Sequence, residues 1–303
     1  MKAIDLFAGA GGFTEGIKQS GISVIWAANH WQIAVDAHSK NHPETIHSCQ
    51  DLQQADWSKV PKHNLLLASP ACQGHSRARG KEKPHHDIAR STAWAVISCL
   101  EYHQPYFIVV ENVKEFRNWK LYPIWKSALN TLGYSVSENI INAQYHSVPQ
   151  SRERLFIVCT KSKNPLVLDL KKNESLIPAK EVIDFNKGKW TGIFDKKRSP
   201  KTLDKFYNSK KVFGDSFLIA YYGNEDKGRS IDKPLGTITT IDRFAIVYKD
   251  KMRMLSTEEI KKAMGFREDY QLTNKHKLDI HLLGNAVCPP VAKQIGEFLL
   301  TRG

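Results

Sequence analysis

The chain has 303 residues, 41% of them hydrophobic and 25% charged, which is typical of a folded soluble protein with one large domain or a large and a small one. Its 44 lysines and arginines outnumber 31 acidic residues and give a net charge of +13, which favours a polyanionic partner such as nucleic acid. No apolar run approaches the ~18 residues that a membrane span needs, so the sequence excludes a transmembrane helix.

Five cysteines at irregular spacing, without a CxxC pair, argue against a disulfide framework and against a structural zinc site. Asp5 interrupts the apolar stretch that a signal peptide would need near the N-terminus. These features predict a protein of the reducing cytoplasm, with no metal site.

Short apolar strands alternate with helix-length segments over the first 160 residues. The predicted strands are rich in leucine or β-branched residues and lack polar alternation: KAIDLFAG, SVIWAAN, NLLLAS, YFIVVEN and RLFIVCT, with one more before CQDLQQ. Residues 87–103 have apolar positions at helical spacing. This alternation predicts an α/β fold, a mostly parallel twisted sheet with helices on both faces, whose ligands bind beyond the carboxyl ends of the strands.

The character of the chain changes after Lys161. Residues 161–211 contain 14 basic and 6 acidic residues and show no clear hydrophobic period. A solvated lysine-rich insertion and a small domain that touches phosphates both fit this composition. Regular patterns return in SFLIAYY and TITTIDRFAIVYK, then in a helix whose capping box is Ser256 and Glu259, and in a last helix after two prolines, Pro289 and Pro290.

Glycines at positions 9, 11 and 12 follow the first predicted strand and open a helix. They permit a tight turn and a close backbone approach to a ligand, but a dinucleotide fingerprint would have a further glycine where Thr14 stands. The turn suits a ligand with an adenosine and an amino-acid tail, such as S-adenosylmethionine. Trp31 and Asp51, after the second and third strands, can stack on an adenine ring and accept a hydrogen bond from its amine.

Cys72 follows the fourth predicted strand, at the same edge of the sheet. Pro70 constrains the turn before it, and Arg77 and Arg79 lie close enough in sequence to favour a thiolate. The next strand ends in Glu111. Taken separately, a cysteine is most often a buried apolar residue and a glutamate a surface residue, but their joint placement at one edge predicts a nucleophile and an acid.

These motifs, in this order, resemble those of the bacterial DNA (cytosine-5)-methyltransferases and extend over nearly the whole chain. The matching segments are DLFAGAGGF (5–13), SPACQGHS (69–76), ENV (111–113), QSRERLF (150–156) and GNAV (284–287). The resemblance implies the Rossmann-like fold of AdoMet-dependent methyltransferases, with a small, mainly β or irregular target-recognition domain. It also implies methyl transfer from S-adenosyl-L-methionine to carbon 5 of a flipped-out cytosine in double-stranded DNA.

The implied chemistry explains the catalytic residue types. Carbon 5 of cytosine is too electron-poor to attack a methyl group, and a Cys72 thiolate that adds to carbon 6 makes carbon 5 nucleophilic. Glu111 donates to ring nitrogen 3, Asn112 orients the glutamate loop, and Arg154 lies beside the base. Loss of the carbon 5 proton then expels Cys72. Arg152 completes the catalytic set as a phosphate or pocket contact.

The remaining contacts are expected from the resemblance or, for the cluster at residues 196–198, from its basic charge. The cofactor contacts are Asp5, Phe7, Gly9, Gly11, Gly12, His30, Trp31, Asp51, Pro70 and Asn285. The DNA contacts are Gln73, Ser76, Arg77, Arg79, Lys196, Lys197 and Arg198. Two positions depart from the family pattern: Ala71 replaces the second proline of Pro-Pro-Cys, and His30 stands where a glutamate usually holds the ribose hydroxyls.

The predicted organisation is a catalytic and AdoMet-binding domain (1–160), a target-recognition domain (161–250), a return segment (251–283) and a C-terminal helix that packs back on the catalytic domain (284–303). The expected form is a monomer associated with the nucleoid and with no membrane contact. Its expected partner is double-stranded DNA, and the sequence leaves open a cognate restriction endonuclease that acts separately or a solitary bacterial or phage enzyme.

Two alternatives stay open: a transfer-RNA cytosine-5 methyltransferase, and a non-catalytic binding subunit of the same fold. The basic region 161–250 is large enough to read a duplex and favours DNA. A binding subunit would have little need to keep Cys72, Glu111 and Arg154 together.

Overall fold

The computed structural model of the chain describes residues 1–71, 92–195, 198–221 and 225–302. The chain divides into two compact units. The first comprises Met1–Asn142, Glu153–Lys172 and Ala286–Gly303, and the second comprises Ala143–Arg152 and Asn173–Asn285. Within the described ranges, no helix is long and apolar enough to cross a membrane.

The first unit is built on a seven-stranded sheet. Its strands are β1 (Lys2–Leu6), β2 (Ser23–Asn29), β3 (Ile46–Cys49), β4 (Leu65–Ala68), β5 (Phe107–Asn112), β6 (Ser135–Asn142) and β7 (Glu153–Thr160). They stand in the order β3-β2-β1-β4-β5-β7-β6, with β1 to β5 parallel and β7 antiparallel to both of its neighbours. The strand order reverses between β1 and β4, the point beyond which such sheets bind ligands. The predicted α/β class and mostly parallel sheet are confirmed.

Eight α-helices are present in the described ranges. They are α1 (Gly12–Gln19), α2 (Gln32–Asn41), α3 (Ala93–His103), α4 (Tyr122–Thr131), α5 (Pro200–Phe213), α6 (Thr257–Ala263), α7 (His276–Asn285) and α8 (Pro289–Leu300). The buried strands β4 and β5 consist almost wholly of apolar residues, because side chains on both faces of a central parallel strand are covered.

The C-terminal helix α8 packs against α1 at two glycines. A Cβ atom on Gly16 would lie 2.1 Å from the carbonyl oxygen of Pro289, and one on Gly296 would lie 2.2 Å from Ser20 Oγ. A side chain at either position would force the helices apart. Glycine therefore fixes how closely α8 approaches the helix that follows the glycine turn.

The second unit contains a five-stranded antiparallel sheet. Its strands are β8 (Thr191–Gly192), β9 (Ser216–Ala220), β10 (Arg229–Ser230), β11 (Phe244–Tyr248) and β12 (Lys251–Met254), in the order β10-β9-β11-β12-β8. Phe206 of α5 packs with buried residues of β9 and β11 in a separate small core. The predicted strand TITTIDRFAIVYK is a strand only over its second half, β11.

The N-terminus of α6 has the predicted capping box. The Ser256 hydroxyl accepts from the Glu259 N–H at 3.2 Å, and Glu259 Oε2 accepts from the Ser256 N–H at 2.7 Å. Two of the four N–H groups that a helix start leaves unpaired are thereby satisfied.

The second unit begins later than the predicted limit at residue 161. Residues 161–172 belong to the first unit, because they follow the edge strand β6. There Asn139 Oδ1 accepts from the Leu168 N–H at 2.8 Å, and the Ser137 hydroxyl donates to the Leu166 carbonyl. The edge strand is thus covered by the chain that leaves β7.

The second unit also extends beyond residue 250, through the predicted return segment 251–283. Arg253 of β12 pairs with Glu259 of α6 at 2.6 Å, and both side chains are only 4% exposed. Arg253 also donates to the Asp184 carbonyl and stacks on Trp190. A buried pair whose two members are linked to the rest of the unit keeps this segment within it. That the unit reads DNA stays a prediction.

Candidate active site

Predicted cofactor residues follow the carboxyl ends of the adjacent strands β2 and β3. Trp31 is the N-cap residue of α2, and its backbone N–H donates to Asn29 Oδ1 at 2.9 Å. Asp51 is exposed and accepts from the Gln53 N–H at 3.0 Å. His30 is exposed beside Trp31. Because β2 and β3 are parallel neighbours, the structure brings these side chains to one edge of the sheet.

The glycine turn follows β1 at the same edge. Gly9 and Gly11 adopt left-handed backbone angles, with φ values of 55° and 89°, and Phe7 does so at 61°. A side chain at either glycine would be strained, as Phe7 is, so glycine is favoured at both positions. Gly11 is the N-cap of α1 and Gly12 its first residue, so the start of the helix, whose first N–H groups have no intrahelical partner, lies at this edge.

Asp5 of β1 is fully buried beside this turn. Thr14 Oγ1 donates to Asp5 Oδ2 at 2.8 Å, whereas no donor within the described residues reaches Oδ1. Burial raises the pKa of the carboxyl to about 7, although hydrogen bonds from Thr14 act in the opposite direction. A buried carboxyl oxygen without a donor, N–H groups at a helix start and a nearby indole together suit the ammonium, carboxylate and adenine groups of S-adenosylmethionine. The residues present therefore fit the predicted cofactor.

The predicted acid and its arginine meet at the end of β5. Glu111 is 6% exposed, and its Oε1 lies 3.1 Å from Arg154 Nε on the adjacent strand β7. The antiparallel register places Glu111 opposite Phe156, two residues from Arg154. Arg154 Nη1 also donates to the Glu153 carbonyl at 2.8 Å, which holds the guanidinium in this orientation. The structure thus brings together two residues that are 43 positions apart in sequence.

The two residues before Cys72 are held from both sides. Asn112 Nδ2 donates to the Pro70 carbonyl at 3.1 Å, and the Ala71 N–H donates to Thr92 Oγ1 at 3.1 Å. Asn112 therefore holds the backbone just before Cys72, and its role in orienting the glutamate loop stays a prediction. No sequence motif identifies Thr92, although an alanine in place of proline carries an N–H that needs an acceptor.

Arg152 is buried in the second unit, and its predicted role as a phosphate or pocket contact stays a prediction. It is 2% exposed, and its Nη1 and Nη2 atoms donate to the carbonyls of Ile238 and Gly284, each at 2.9 Å. These contacts lie within the second unit and connect three of its segments. Asn285, assigned to the cofactor, is an exposed residue at the end of α7 in that unit, and its role stays a prediction.

Several predicted site residues lie outside the described residues: Cys72, Gln73, Ser76, Arg77, Arg79, Lys196 and Lys197. Arg198 is described, and its guanidinium donates to Thr191 Oγ1 of β8. Part of the basic excess is paired within the second unit, since Lys180 binds Asp232 and Lys210 binds Asp250, both at 2.8 Å. The lysine-rich stretch is therefore neither wholly solvated nor wholly available to phosphates.

Comparison with known proteins agrees with this geometry. A sequence profile described as C-5 cytosine-specific DNA methylase matches residues 1–301. Type II methyltransferase M.HhaI of Haemophilus parahaemolyticus is 24% identical over 97% of this chain and 93% of its own length. M.NlaX of Neisseria lactamica, also named a Type II methyltransferase, is 24% identical over 98% and 95%.

Among solved structures, the fold matches that of a prophage-encoded DNA modification methyltransferase of E. coli. The TM-score is 0.73 at 18% identity, and the match covers 99% of each chain. The profile match extends over nearly every residue, from the glycine turn to α8. The chain therefore belongs to the family of C-5 cytosine-specific DNA methylases, enzymes that transfer a methyl group from S-adenosylmethionine to carbon 5 of cytosine in DNA.

Proposed function

We propose that the chain methylates one cytosine within a specific sequence of double-stranded DNA, and that Cys72 is its nucleophile. The observation that carries this proposal is the Glu111–Arg154 pair, with its 3.1 Å contact at the end of β5. Asn112, the next residue, binds the backbone two residues before Cys72. The buried side chain of Asn112 thus connects the strand end that carries the acid, Glu111, to the backbone just before the nucleophile, Cys72.

The residues act in the following order. The target base leaves the duplex stack, at a cost of roughly a few kcal/mol. The Cys72 thiolate adds to carbon 6 while Glu111 donates a proton to ring nitrogen 3, and Arg154 holds the Glu111 carboxyl in place. S-adenosylmethionine supplies the methyl group at carbon 5. Nitrogen 3 then returns its proton to Glu111, the carbon 5 proton passes to solvent, its bonding electrons re-form the 5,6 double bond, and Cys72 leaves as a thiolate.

The second unit, Ala143–Arg152 and Asn173–Asn285, is proposed to read the DNA sequence. Its separate sheet and the net +5 of residues 173–211, with 10 basic against 5 acidic residues, support this role. The proposed form is a monomer that associates with the nucleoid through its DNA substrate. The Type II names of two relatives support a setting beside a separately acting restriction endonuclease, and a solitary bacterial or phage enzyme is the other setting.

Neither alternative function is favoured by the family or by the site. The matching family is described as acting on DNA, which favours DNA over transfer RNA. A non-catalytic binding subunit would not need a buried glutamate held by an arginine at the end of β5, so the Glu111–Arg154 pair favours an enzyme.

Covalent trapping tests the proposal. Duplex DNA with 5-fluorocytosine at the target, found first by bisulfite sequencing of DNA from expressing cells, should form a denaturation-resistant adduct in the presence of S-adenosylmethionine, because fluorine cannot leave as a proton does. Cys72→Ala should form none, whereas Cys49→Ala, which removes an exposed cysteine, should trap as the wild type does. Equal trapping by Cys72→Ala would reject the nucleophile, and preferential trapping by the matching RNA would support the transfer-RNA alternative.

A further inference from the structure

We propose that Thr14 and His38 are positioning residues of the cofactor site. They are the two middle members of the polar row, a series of hydrogen-bonded side chains formed by Asp5, Thr14, His38 and His47. This inference rests on the cofactor assignment in the proposed function and adds residues that no motif of the chain identifies.

The polar row connects four secondary-structure elements of the first unit. Thr14 of α1 donates to Asp5 of β1 at 2.8 Å. His38 Nε2 of α2 lies 3.1 Å from Thr14 Oγ1, and His38 Nδ1 lies 2.8 Å from His47 Nε2 of β3. Asp5 and Thr14 are fully buried, His38 is 1% exposed, and His47 is half-buried at the edge of the sheet. The series therefore runs from the interior to the protein surface.

The hydrogen-bond roles follow from the single proton of the Thr14 hydroxyl. When Asp5 is ionised, Thr14 uses this proton to donate to the carboxylate, so it must accept from His38 Nε2–H. His38 Nδ1 then carries no proton and accepts from His47 Nε2–H. This pattern requires neutral His38, and burial, with His42, His47 and Lys18 nearby, holds its pKa well below the usual range.

Each connected element carries a proposed cofactor residue close to its member of the row. Asp5 lies two residues before Phe7, and Thr14 lies two residues after Gly12. On α2, His38 lies seven residues, nearly two turns, beyond the N-cap residue Trp31. On β3, His47 precedes Asp51 by four residues. The polar row therefore sets the mutual placement of the glycine turn, the indole and the carboxylate.

Breaking the row should disturb the cofactor more than the fold. Removal of one member leaves a buried polar partner without a hydrogen bond, and the elements shift to satisfy it. Binding groups lose their effect when they are displaced by as little as 1 Å, even by a change some distance away. We expect weaker binding of S-adenosylmethionine and little change in the rate at saturating cofactor.

Thr45 provides a matched control. Its hydroxyl donates to the Val24 carbonyl at 2.8 Å, and the residue is 4% exposed. Like Thr14, it is a buried threonine whose hydroxyl is a hydrogen-bond donor in the first unit. It lies just before β3, at the amino end of the sheet, and connects no proposed cofactor residue.

The experiment measures S-adenosylmethionine binding to the full chain by calorimetry. At pH 8.5, where Asp5 is ionised, Thr14→Val should weaken binding by about tenfold or more, since the loss of a buried hydrogen bond to a charged group is of that order. Thr14→Ser restores the hydroxyl and should bind within about twofold of wild type. Thr45→Val should lower thermal stability but leave the Kd within about twofold. In turnover assays Thr14→Val should raise KM for the cofactor and leave kcat nearly unchanged.

A second variant covers the case in which Thr14→Val does not fold. His47→Ala removes the half-buried end of the row and should weaken binding in the same direction, by about threefold. An unchanged Kd in Thr14→Val overturns the inference. If Thr14→Val does not fold, an unchanged Kd in His47→Ala overturns it instead. A loss of affinity in Thr45→Val equal to that in Thr14→Val also overturns it. When the row variants leave the Kd unchanged, Trp31→Ala shows which proposal has failed. An unchanged Kd in Trp31→Ala means that the cofactor assignment itself is wrong. Weaker binding by Trp31→Ala means that only the role of the polar row is rejected.

Discussion

Replacing Asp5 with asparagine should remove a pH dependence of stability that the buried carboxyl confers on the first unit. The carboxyl lies in a fully buried position of β1 with one oxygen accepting from Thr14. Asparagine has nearly the same shape, and its side-chain oxygen can accept the same hydrogen bond. Unlike aspartate, it does not titrate. The substitution therefore isolates the charge.

The magnitude follows from the two pKa values. Burial raises the pKa of Asp5 from 3.8 to about 7, and the Thr14 hydrogen bonds only partly oppose this rise. Between these pH values the folded chain keeps a proton that the unfolded chain has lost, so stability falls as the pH rises. At about 1.4 kcal/mol for each pH unit, the free energy of unfolding falls by about 4 kcal/mol and levels off above pH ~7. That loss is a large fraction of the ~5–15 kcal/mol that stabilises a domain.

The assay is urea unfolding of the cofactor-free protein, followed by tryptophan fluorescence at intervals between pH 4.5 and pH 8.5. Trp26 and Trp125 are buried in the first unit and report on its sheet. In Asp5→Asn a side-chain NH₂ group takes the place of Oδ1, the carboxyl oxygen that accepts no hydrogen bond. The cost of burying this group lowers the free energy of unfolding equally at every pH. The difference between wild type and variant should therefore change with pH, in the variant's favour as the pH rises.

Asp36→Asn, which changes an exposed carboxylate on α2, should keep the wild-type pH dependence. The reasoning about burial would be refuted if Asp5→Asn and wild type lost stability in parallel between pH 5 and pH 7. A parallel loss would mean that Asp5 is already ionised across this range.

Three further results are expected. Glu111→Gln keeps the shape of the acid but should slow methylation by about two to four orders of magnitude, with cofactor affinity little changed in calorimetry. Trp31→Ala should weaken S-adenosylmethionine binding while DNA binding persists in gel-shift assays, because it removes a stacking surface. Neutralising Lys196, Lys197 and Arg198 together should weaken binding to all DNA sequences alike and flatten the log–log salt dependence, by about 0.9 for each phosphate that the protein no longer neutralises.

Each of these has a matched control. Glu101→Gln changes an exposed glutamate of α3 and should leave the methylation rate unchanged. Trp190→Phe alters a tryptophan of the second unit and should leave cofactor affinity unchanged. Lys180→Gln removes a lysine already paired with Asp232 and should leave the salt dependence unchanged. A near-wild-type methylation rate for Glu111→Gln would remove Glu111 from the mechanism. Tighter binding of NAD than of S-adenosylmethionine would show that the cofactor assignment of the first unit is wrong. An unchanged salt slope would show that Lys196, Lys197 and Arg198 face solvent and do not contact phosphates.

The sequence by itself determined the class of the fold and the family. Strands such as β4 and β5 are recognisable as continuous apolar runs, because both of their faces are covered in the folded state. The capping box of α6 is equally local, since its two partners are three residues apart. The ordered motifs identify the family because the chemistry needs particular residue types at strand ends, and these survive as short, readable segments.

Some features of the first unit required the tertiary structure. Strand β6 was not predicted, because at the sheet edge its polar side chains face the chain that covers it instead of an apolar core. Arg154 was placed beside the base by resemblance, but its contact with Glu111 depends on the register of β5 and β7.

The polar row and the burial of Arg152 were decided by the tertiary structure alone. Thr14 and His38 are 24 residues apart, and Arg152 is 86 residues from Ile238 and 132 from Gly284. No local pattern marks such pairs, because a threonine or histidine on a helix has the same sequence signature whether it faces water or another buried polar group. Which of these occurs depends on how the elements pack, and packing brings together side chains whose positions in the sequence are unrelated.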